Sequence, residues 1–102
     1  MFMPPEELKS LEPHDAGALG MSTPELWDKV SNELHGEDRS RDSSGTRGPD
    51  IMASVRRNGV REPVEIGEEY QNTGTSHLYD GHHRTQAAEE AGQAYVPVTY
   101  RW

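Results

Sequence analysis

The residues best suited to chemistry stand together in one short run of the chain. A strand-like segment, 77–79, leads into Asp80-Gly81-His82-His83-Arg84-Thr85, and an alanine-rich segment follows. At a helix start the first backbone N–H groups have no intrahelical acceptor and face outward along the positive end of the helix dipole, so they stabilise an anion. Glycine lets the backbone approach a ligand closely, and a guanidinium group matches the oxygens of a phosphate. The run therefore predicts a phosphate site at the start of a helix.

The residues after the run predict how the helix packs. Counted from Arg84, the small residues Ala87, Ala88 and Ala91 follow at i+3, i+4 and i+7. A helix with this pattern packs closely by its alanine face, which puts Arg84 at the rim of that face. Gly92 then stands at the position where a glycine commonly ends a helix.

Several titratable residues near this turn each have two readings. Asp80 could hold Mg²⁺ or orient a histidine, although aspartate before glycine is also a common turn residue. Glu62 could be a general base, or simply a solvated residue after a helix. Neighbouring side chains such as His82 and His83 diverge by about 100° on a helix, so a divalent cation that arrives with bound phosphate groups is favoured over a histidine metal site. Glu62 and His83 are the candidate catalytic residues, and Asp80 is the candidate metal ligand.

Composition restricts the class of protein. The chain has 102 residues, of which 31% are hydrophobic, and it has no cysteine, which excludes disulfides, thiolate metal sites and thiol nucleophiles. No apolar segment approaches membrane-spanning length, so we expect a soluble, cytoplasmic protein without a membrane partner. The net charge of −8, mostly from the first fifty residues, argues against strong DNA binding by the free chain.

The order of elements predicts one domain after an N-terminal extension. We expect the extension over residues 1–20, with a short edge strand at 7–11, and a single domain over residues 21–102. Thr23-Pro24 favours a helix start, and a helix with apolar residues every four positions should end near Gly36. A flexible polar loop is expected at 36–49, because the segment has no large apolar residue. The remaining predicted elements are a helix from about Pro49 to Asn58, strands over 63–66 and 77–79, the alanine-faced helix, and a closing strand over 95–100.

Two segments resemble the ParB/sulfiredoxin superfamily, which includes the ParB-like nuclease domain, over roughly residues 50–100. Residues 54–64, SVRRNGVREPV, are similar to a segment of that family with the pattern S-I-x-x-x-G-[VL]-x-x-P-[IV]. Residues 81–88, GHHRTQAA, are similar to its G-x-x-R-x-x-A-A box, which grips nucleotide phosphates in that family. The resemblance implies an α/β (α+β) fold, a small mixed sheet with about three helices. It also implies a CTP or ATP site with Mg²⁺, formed by Gly81, His82, His83, Arg84 and Thr85.

The chain also departs from that family. Sulfiredoxins have Gly-Cys-His-Arg where this chain has histidine at position 82, so the reductase chemistry is excluded. Partition proteins carry a helix-turn-helix and a dimerisation region after this domain, whereas this sequence stops at Trp102, so we do not expect a complete centromere clamp. An arginine-containing segment normally precedes the second helix, and Arg39, Arg41 or Arg47 could replace it. Small stand-alone proteins of this type resemble products of phages or mobile elements.

Three functional hypotheses follow. The first is a nucleotide-binding ParB-like protein that holds phosphates at residues 81–84, with hydrolysis or phosphoryl transfer as the chemistry. The second is a DNA-nicking nuclease, as the family's label implies. The third is a non-catalytic acidic protein that binds a host protein through the charge of its first half.

Overall fold

A five-stranded mixed sheet and five helices form the part of the chain that this computed structural model describes, residues 1–36, 47–68 and 76–100. The helices are Pro5–Ser10 (α1), His14–Leu19 (α2), Thr23–His35 (α3), Gly48–Asn58 (α4) and His82–Glu90 (α5). The strands are Phe2–Met3 (β1), Glu12–Pro13 (β2), Val64–Glu68 (β3), Ser76–Asp80 (β4) and Val96–Tyr100 (β5). The predicted α/β class with a small mixed sheet is confirmed. The expected helices are α3, α4 and α5, to which the first twenty residues add α1 and α2.

The sheet has the strand order β1-β5-β3-β4-β2. Its central strand β3 pairs with β5 in parallel and with β4 antiparallel, while β2 joins β4 in parallel and β1 joins β5 antiparallel. Strand residues and helix residues are buried together in one core cluster. The strands contribute Val64, Ile66, Leu78, Val96 and Val98. The end of β4 therefore lies next to β3, and the turn after β4 leads into α5.

The first twenty residues correct one prediction. Residues 7–11 do not form an edge strand, because Pro5–Ser10 is a helix with a proline in its first turn. Glu6 and Glu7 lie in that first turn and Lys9 in the last, which suits the helix dipole, and Leu8 is completely buried. Strands β1 and β2 flank this helix. The boundary between an extension and a domain at residue 20 stays a prediction.

Helix α3 begins with a capping box. The N-cap is Ser22, one residue before the expected Thr23, because its hydroxyl accepts from the Glu25 N–H while the Glu25 carboxylate accepts from the Ser22 N–H, both at 3.3 Å. The helix buries the predicted apolar face and also Glu33. It ends at His35, next to the expected Gly36.

Helix α4 begins at Gly48, shortly before the expected start at about Pro49. Most of the loop predicted over 36–49, residues 37–46, lies outside the described residues together with Arg39 and Arg41. A Cβ on Gly48 would overlap the Glu33 carbonyl, which shows how closely α4 starts against α3. Gly59 ends the helix with a positive φ of 70°. Most of the polar connection predicted after residue 67 also lies outside the described residues.

Strand β5 corrects a second detail. Its internal proline, Pro97, was expected on an edge strand, but β5 lies between β1 and β3. Proline has no N–H to donate to a neighbouring strand. The fold accommodates Pro97 because the pairing of β5 with β3 begins one residue later, at Val98. On the β1 side, the N–H of Val98 donates to the Met1 carbonyl. Across the described residues, no helix is both long enough and apolar enough to cross a membrane.

Candidate phosphate site at the start of helix α5

The turn between β4 and α5 has the backbone that the sequence predicts. Gly81 is the N-cap of α5 with a left-handed φ of 99°, and its carbonyl accepts the first intrahelical hydrogen bond from the Thr85 N–H at 2.9 Å. The N–H groups of His82, His83 and Arg84 therefore precede the helical ladder and have no intrahelical acceptor. A Cβ at position 81 would overlap the Val64 side chain, so both the conformation and the space require glycine.

Arg84 lies beside this turn. A Cβ on Gly81 would stand 3.2 Å from Nη2 of Arg84, which locates the guanidinium against the glycine. Nη1 of Arg84 donates to the Glu62 carboxylate at 3.3 Å and to the Glu62 carbonyl at 3.4 Å, and Nη2 donates to Oδ2 of Asp80 at 3.4 Å. The side chain is 16% exposed, at the rim of the core. Arg84 thus brings two of the predicted site residues, Glu62 and Asp80, to the helix start.

The two carboxylates are held loosely. Their side chains are 81% exposed for Glu62 and 42% exposed for Asp80, and their contacts with Arg84 are longer than a typical charge-assisted hydrogen bond. Exposed ion pairs of this kind contribute little free energy because water and salt screen them. An anion with better geometry can therefore displace Glu62 from the guanidinium at small cost.

His83 is turned towards α3. Its Nε2 lies 3.3 Å from Oε1 of Glu33, and the same oxygen accepts from Nζ of Lys29 at 2.8 Å. Glu33 is 5% exposed, whereas the His83 side chain keeps 16% exposure. His83 is therefore positioned by the buried carboxylate of Glu33, which is paired with the partly exposed Lys29. The structure does not bring His83 to the other candidate catalytic residue, Glu62.

His82 is turned into the protein. It is 3% exposed, its ring centroid is 5.8 Å from that of Trp27, and its Nδ1 lies 3.5 Å from Oδ2 of Asp15. Burial lowers the pKa of His82 below its ordinary value, although the carboxylate of Asp15 acts in the opposite direction. The hydroxyl of Thr85 is also completely buried and has no partner among the described residues. Two predicted phosphate-binding side chains, His82 and Thr85, are thus buried in the protein.

The part of the chain that the structure describes contains no group of three or more histidine, aspartate or glutamate side chains arranged to hold a metal ion. Asp80 contacts Arg84 and has a half-exposed carboxylate. The metal role of Asp80 stays a prediction, in which one carboxylate would supplement oxygen ligands from a bound nucleotide.

Sequence reasoning missed Glu33, Lys29 and Asp15, which position the two histidines. A signal for Glu33 exists in the sequence. It lies seven residues after Leu26 and three after Val30, on the stripe that faces the core of an amphipathic helix. A glutamate at such a position is unusual and predicts a buried, paired carboxylate.

Comparison with known proteins agrees with this architecture. No family model and no curated protein matches the sequence. Among solved structures, the C-terminally truncated chromosome-partitioning protein ParB from Caulobacter crescentus, complexed with CTP-γ-S, is similar with a TM-score of 0.50 and 21% sequence identity. The match covers 99% of this chain but only 43% of that protein. The chain therefore has a ParB-like fold.

Proposed function

We propose that this protein binds a nucleoside triphosphate, CTP or ATP, with its phosphates at the start of α5. The observation that carries the proposal is the guanidinium of Arg84 lying against a left-handed Gly81 at the N-terminus of α5. Backbone N–H groups, a positive dipole end and a planar fork of donors are there within one turn of the chain. This combination suits an anion with several oxygens, such as a phosphate, better than a neutral ligand.

The proposed roles follow from what each group exposes. The N–H groups of His82 and His83 donate to phosphate oxygens, and Arg84 replaces its contact with Glu62 by a bidentate contact with phosphate. His82 contributes through its backbone only, because its ring is buried. Thr85 contributes structure, since its hydroxyl is inside the core. Mg²⁺, bound by the phosphates and by Asp80, would neutralise the charge that the two nearby carboxylates add to the site.

Hydrolysis of the bound nucleotide is the chemistry that these residues could support. Phosphoryl transfer needs positioning and charge neutralisation more than covalent catalysis, which Arg84 and a cation supply. Glu62 has a mobile, exposed carboxylate beside Arg84 and could accept a proton from an attacking water. His83 is positioned by Glu33, and its ring would donate to a phosphate oxygen in the form that carries protons on both nitrogens.

CTP is the first nucleotide to test, because the ParB structure with a similar fold was solved with CTP-γ-S. Calorimetric titration with CTP, ATP, GTP and ADP in the presence of Mg²⁺ should show saturable binding of at least one triphosphate. Arg84→Ala should abolish it. Arg56→Ala is the matched control, because Arg56 is an exposed arginine in the last turn of α4 and its removal changes the net charge equally.

Two results would contradict the proposal. The first is the absence of binding by all four nucleotides at millimolar concentration. The second is an equal loss of binding in Arg84→Ala and Arg56→Ala, which would indicate a general charge effect and no site at α5.

A further inference from the structure

Helix α3 carries a charged residue where a core residue would be expected. Its buried face includes Leu26, Val30 and Leu34, and Glu33 lies within the same face at 5% exposure. Burial of a carboxylate costs free energy unless the charge is paired, and an apolar residue would pack there without that cost. A buried charge that breaks the local pattern is most often kept for a role other than stability.

Glu33 is fixed from two directions. Its backbone carbonyl is packed against Gly48, where no Cβ can be accommodated, so α4 holds this turn of α3 in place. Its Oε1 accepts from Nζ of Lys29, one helical turn earlier, at 2.8 Å. The carboxylate is therefore a rigid acceptor rather than a mobile surface group.

This rigid acceptor determines what the His83 imidazole can do. Oε1 of Glu33 is 3.3 Å from Nε2 of His83. An ionised carboxylate only accepts hydrogen bonds, so Nε2 must carry the proton in this contact. In the neutral ring the proton is then on Nε2, and Nδ1 keeps a lone pair, which accepts a hydrogen bond from a water molecule or from a donor group of a ligand. A phosphate oxygen is itself an acceptor, so it pairs with Nδ1 only when the ring carries a second proton there.

We infer that Glu33 is a positioning residue, which holds His83 in its Nε2–H form and leaves Nδ1 as the ring nitrogen that this contact does not use. The functional part of this inference rests on the proposed nucleotide site. Lys29 completes the arrangement, because it balances the carboxylate charge and keeps it oriented. The chain Lys29–Glu33–His83 thus connects α3 to the ligand side of α5.

Histidine ¹⁵N chemical shifts test the arrangement without any nucleotide. At a pH where the ring is neutral, wild type should show His83 with a protonated Nε2 and an unprotonated Nδ1. Glu33→Met fills the same space without an acceptor and should give a mixture of both tautomers. Glu33→Gln keeps an oxygen acceptor at this position and should retain the wild-type pattern. Asp28→Ala removes an exposed carboxylate from the same helix and should change nothing.

The functional part is tested with CTP or ATP, whichever binds to wild type. Glu33→Met should weaken binding roughly tenfold, because the doubly protonated ring that bridges Glu33 and a phosphate oxygen loses its carboxylate partner. Glu33→Gln keeps an oxygen acceptor and should restore part of that loss. The double variant Glu33→Met/His83→Ala should bind no more weakly than His83→Ala alone, because both substitutions act through one imidazole.

The outcomes separate the two ideas. A wild-type His83 protonated on Nδ1, or a Glu33→Met variant with the wild-type tautomer, would overturn the role of Glu33 whether or not nucleotide binds. An additive double variant would overturn the role of Glu33 through His83. If wild type binds no nucleotide, the proposed function fails, and the tautomer comparison alone supports or overturns the positioning of His83.

Discussion

The first two turns of α5 have two sides with opposite properties. The inner side is formed by His82, Thr85 and Gln86, which are at most 6% exposed, and each has a buried polar atom without a partner among the described residues. The outer side is formed by His83 and Arg84, both 16% exposed at the side chain and both paired with carboxylates. Successive residues on a helix point about 100° apart, which separates these neighbours.

The difference shows that one continuous run of polar residues has two roles, one in folding stability and one in ligand binding. On the inner side, polar groups are buried beside Trp27, and such groups limit stability when they lack partners. On the outer side, the charges lie on exposed or paired groups that a ligand can reach. Substitutions on the inner side should therefore change folding stability, and those on the outer side should change ligand binding. A substitution at Gly81 should affect both stability and binding, because Gly81 is the N-cap of the helix that carries both sides.

The largest expected effect is that of Gly81→Ala. The variant should lose about 2–5 kcal/mol of unfolding free energy, since the left-handed backbone and the overlap with Val64 both oppose a Cβ. Gly92→Ala is the control: φ is 73° and no atom lies within 4 Å of its Cβ, so only backbone strain of about 1–2 kcal/mol is expected. Urea denaturation measures both, and equal losses would contradict the packing of Gly81 on β3.

Arg84→Ala should have the largest effect confined to the outer side. We expect nucleotide affinity to fall more than about tenfold, while the unfolding free energy without nucleotide falls by less than about 3 kcal/mol, because the partners of Arg84 are two carboxylates in contact with solvent and the Glu62 carbonyl. Arg84→Lys should restore little, since an ammonium group cannot reproduce the bidentate fork. Melting temperatures with and without nucleotide separate the cases. A variant that nucleotide stabilises as much as wild type would remove Arg84 from the site.

His82 should make stability depend on pH through the inner side. Burial lowers the folded pKa of His82, so the unfolded chain binds a proton more readily. Its contribution to stability is therefore complete above the unfolded pKa, near 6.5, and is lost as pH falls towards the lowered folded value. The slope is at most about 1.4 kcal/mol per pH unit. Denaturation at several pH values between 7.5 and 5 should show that His82→Gln reduces this loss of stability and that His83→Gln does not. The reverse result would contradict the assignment of the pH dependence to the inner side.

The smallest effect is expected for Glu62→Gln. Glu62 competes with a phosphate for Arg84, and an exposed pair of this kind contributes up to about 1 kcal/mol, so affinity should rise by up to about fivefold. Glu6→Gln is the control for net charge, because Glu6 is an exposed residue of α1. If wild type hydrolyses the nucleotide and Glu62 is the base, turnover should fall in the same variant that binds more tightly. Weaker binding by Glu62→Gln would show that Glu62 contacts the ligand or cation directly.

The parts of the fold that depend on local patterns could be predicted from the sequence. Helices α3, α4 and α5 follow from apolar periodicity and from glycine or proline at their ends, and the ends of α4 and α5 at Gly59 and Gly92 have the expected positive φ. Helix α1 was predicted as a strand because five residues with two leucines fit either pattern. The pairing of β1 and β2 depends on partners about 65 to 95 residues away, which no local pattern encodes.

For the candidate site as well, the features that depend on local sequence could be predicted and those that depend on packing could not. The turn at Gly81 and the rim position of Arg84 follow from spacing along one helix. The inward orientation of His82 and the contact of His83 with Glu33 depend on how α5 packs against α2 and α3, so they required the structure. A resemblance to a phosphate-binding box assigned both histidines the same role, whereas helix packing gives them different ones.

The edges of the sheet have a consequence for the order of folding during synthesis. Strands β1 and β2, which come from the first thirteen residues, lie at opposite edges and pair with β5 and β4. Because their partners follow about 65 to 95 residues later in the chain, β1 and β2 leave the ribosome before the strands with which they pair. Until then the nascent chain carries two strands without neighbours. We expect the sheet to be completed in one late step, after residue 98 has emerged.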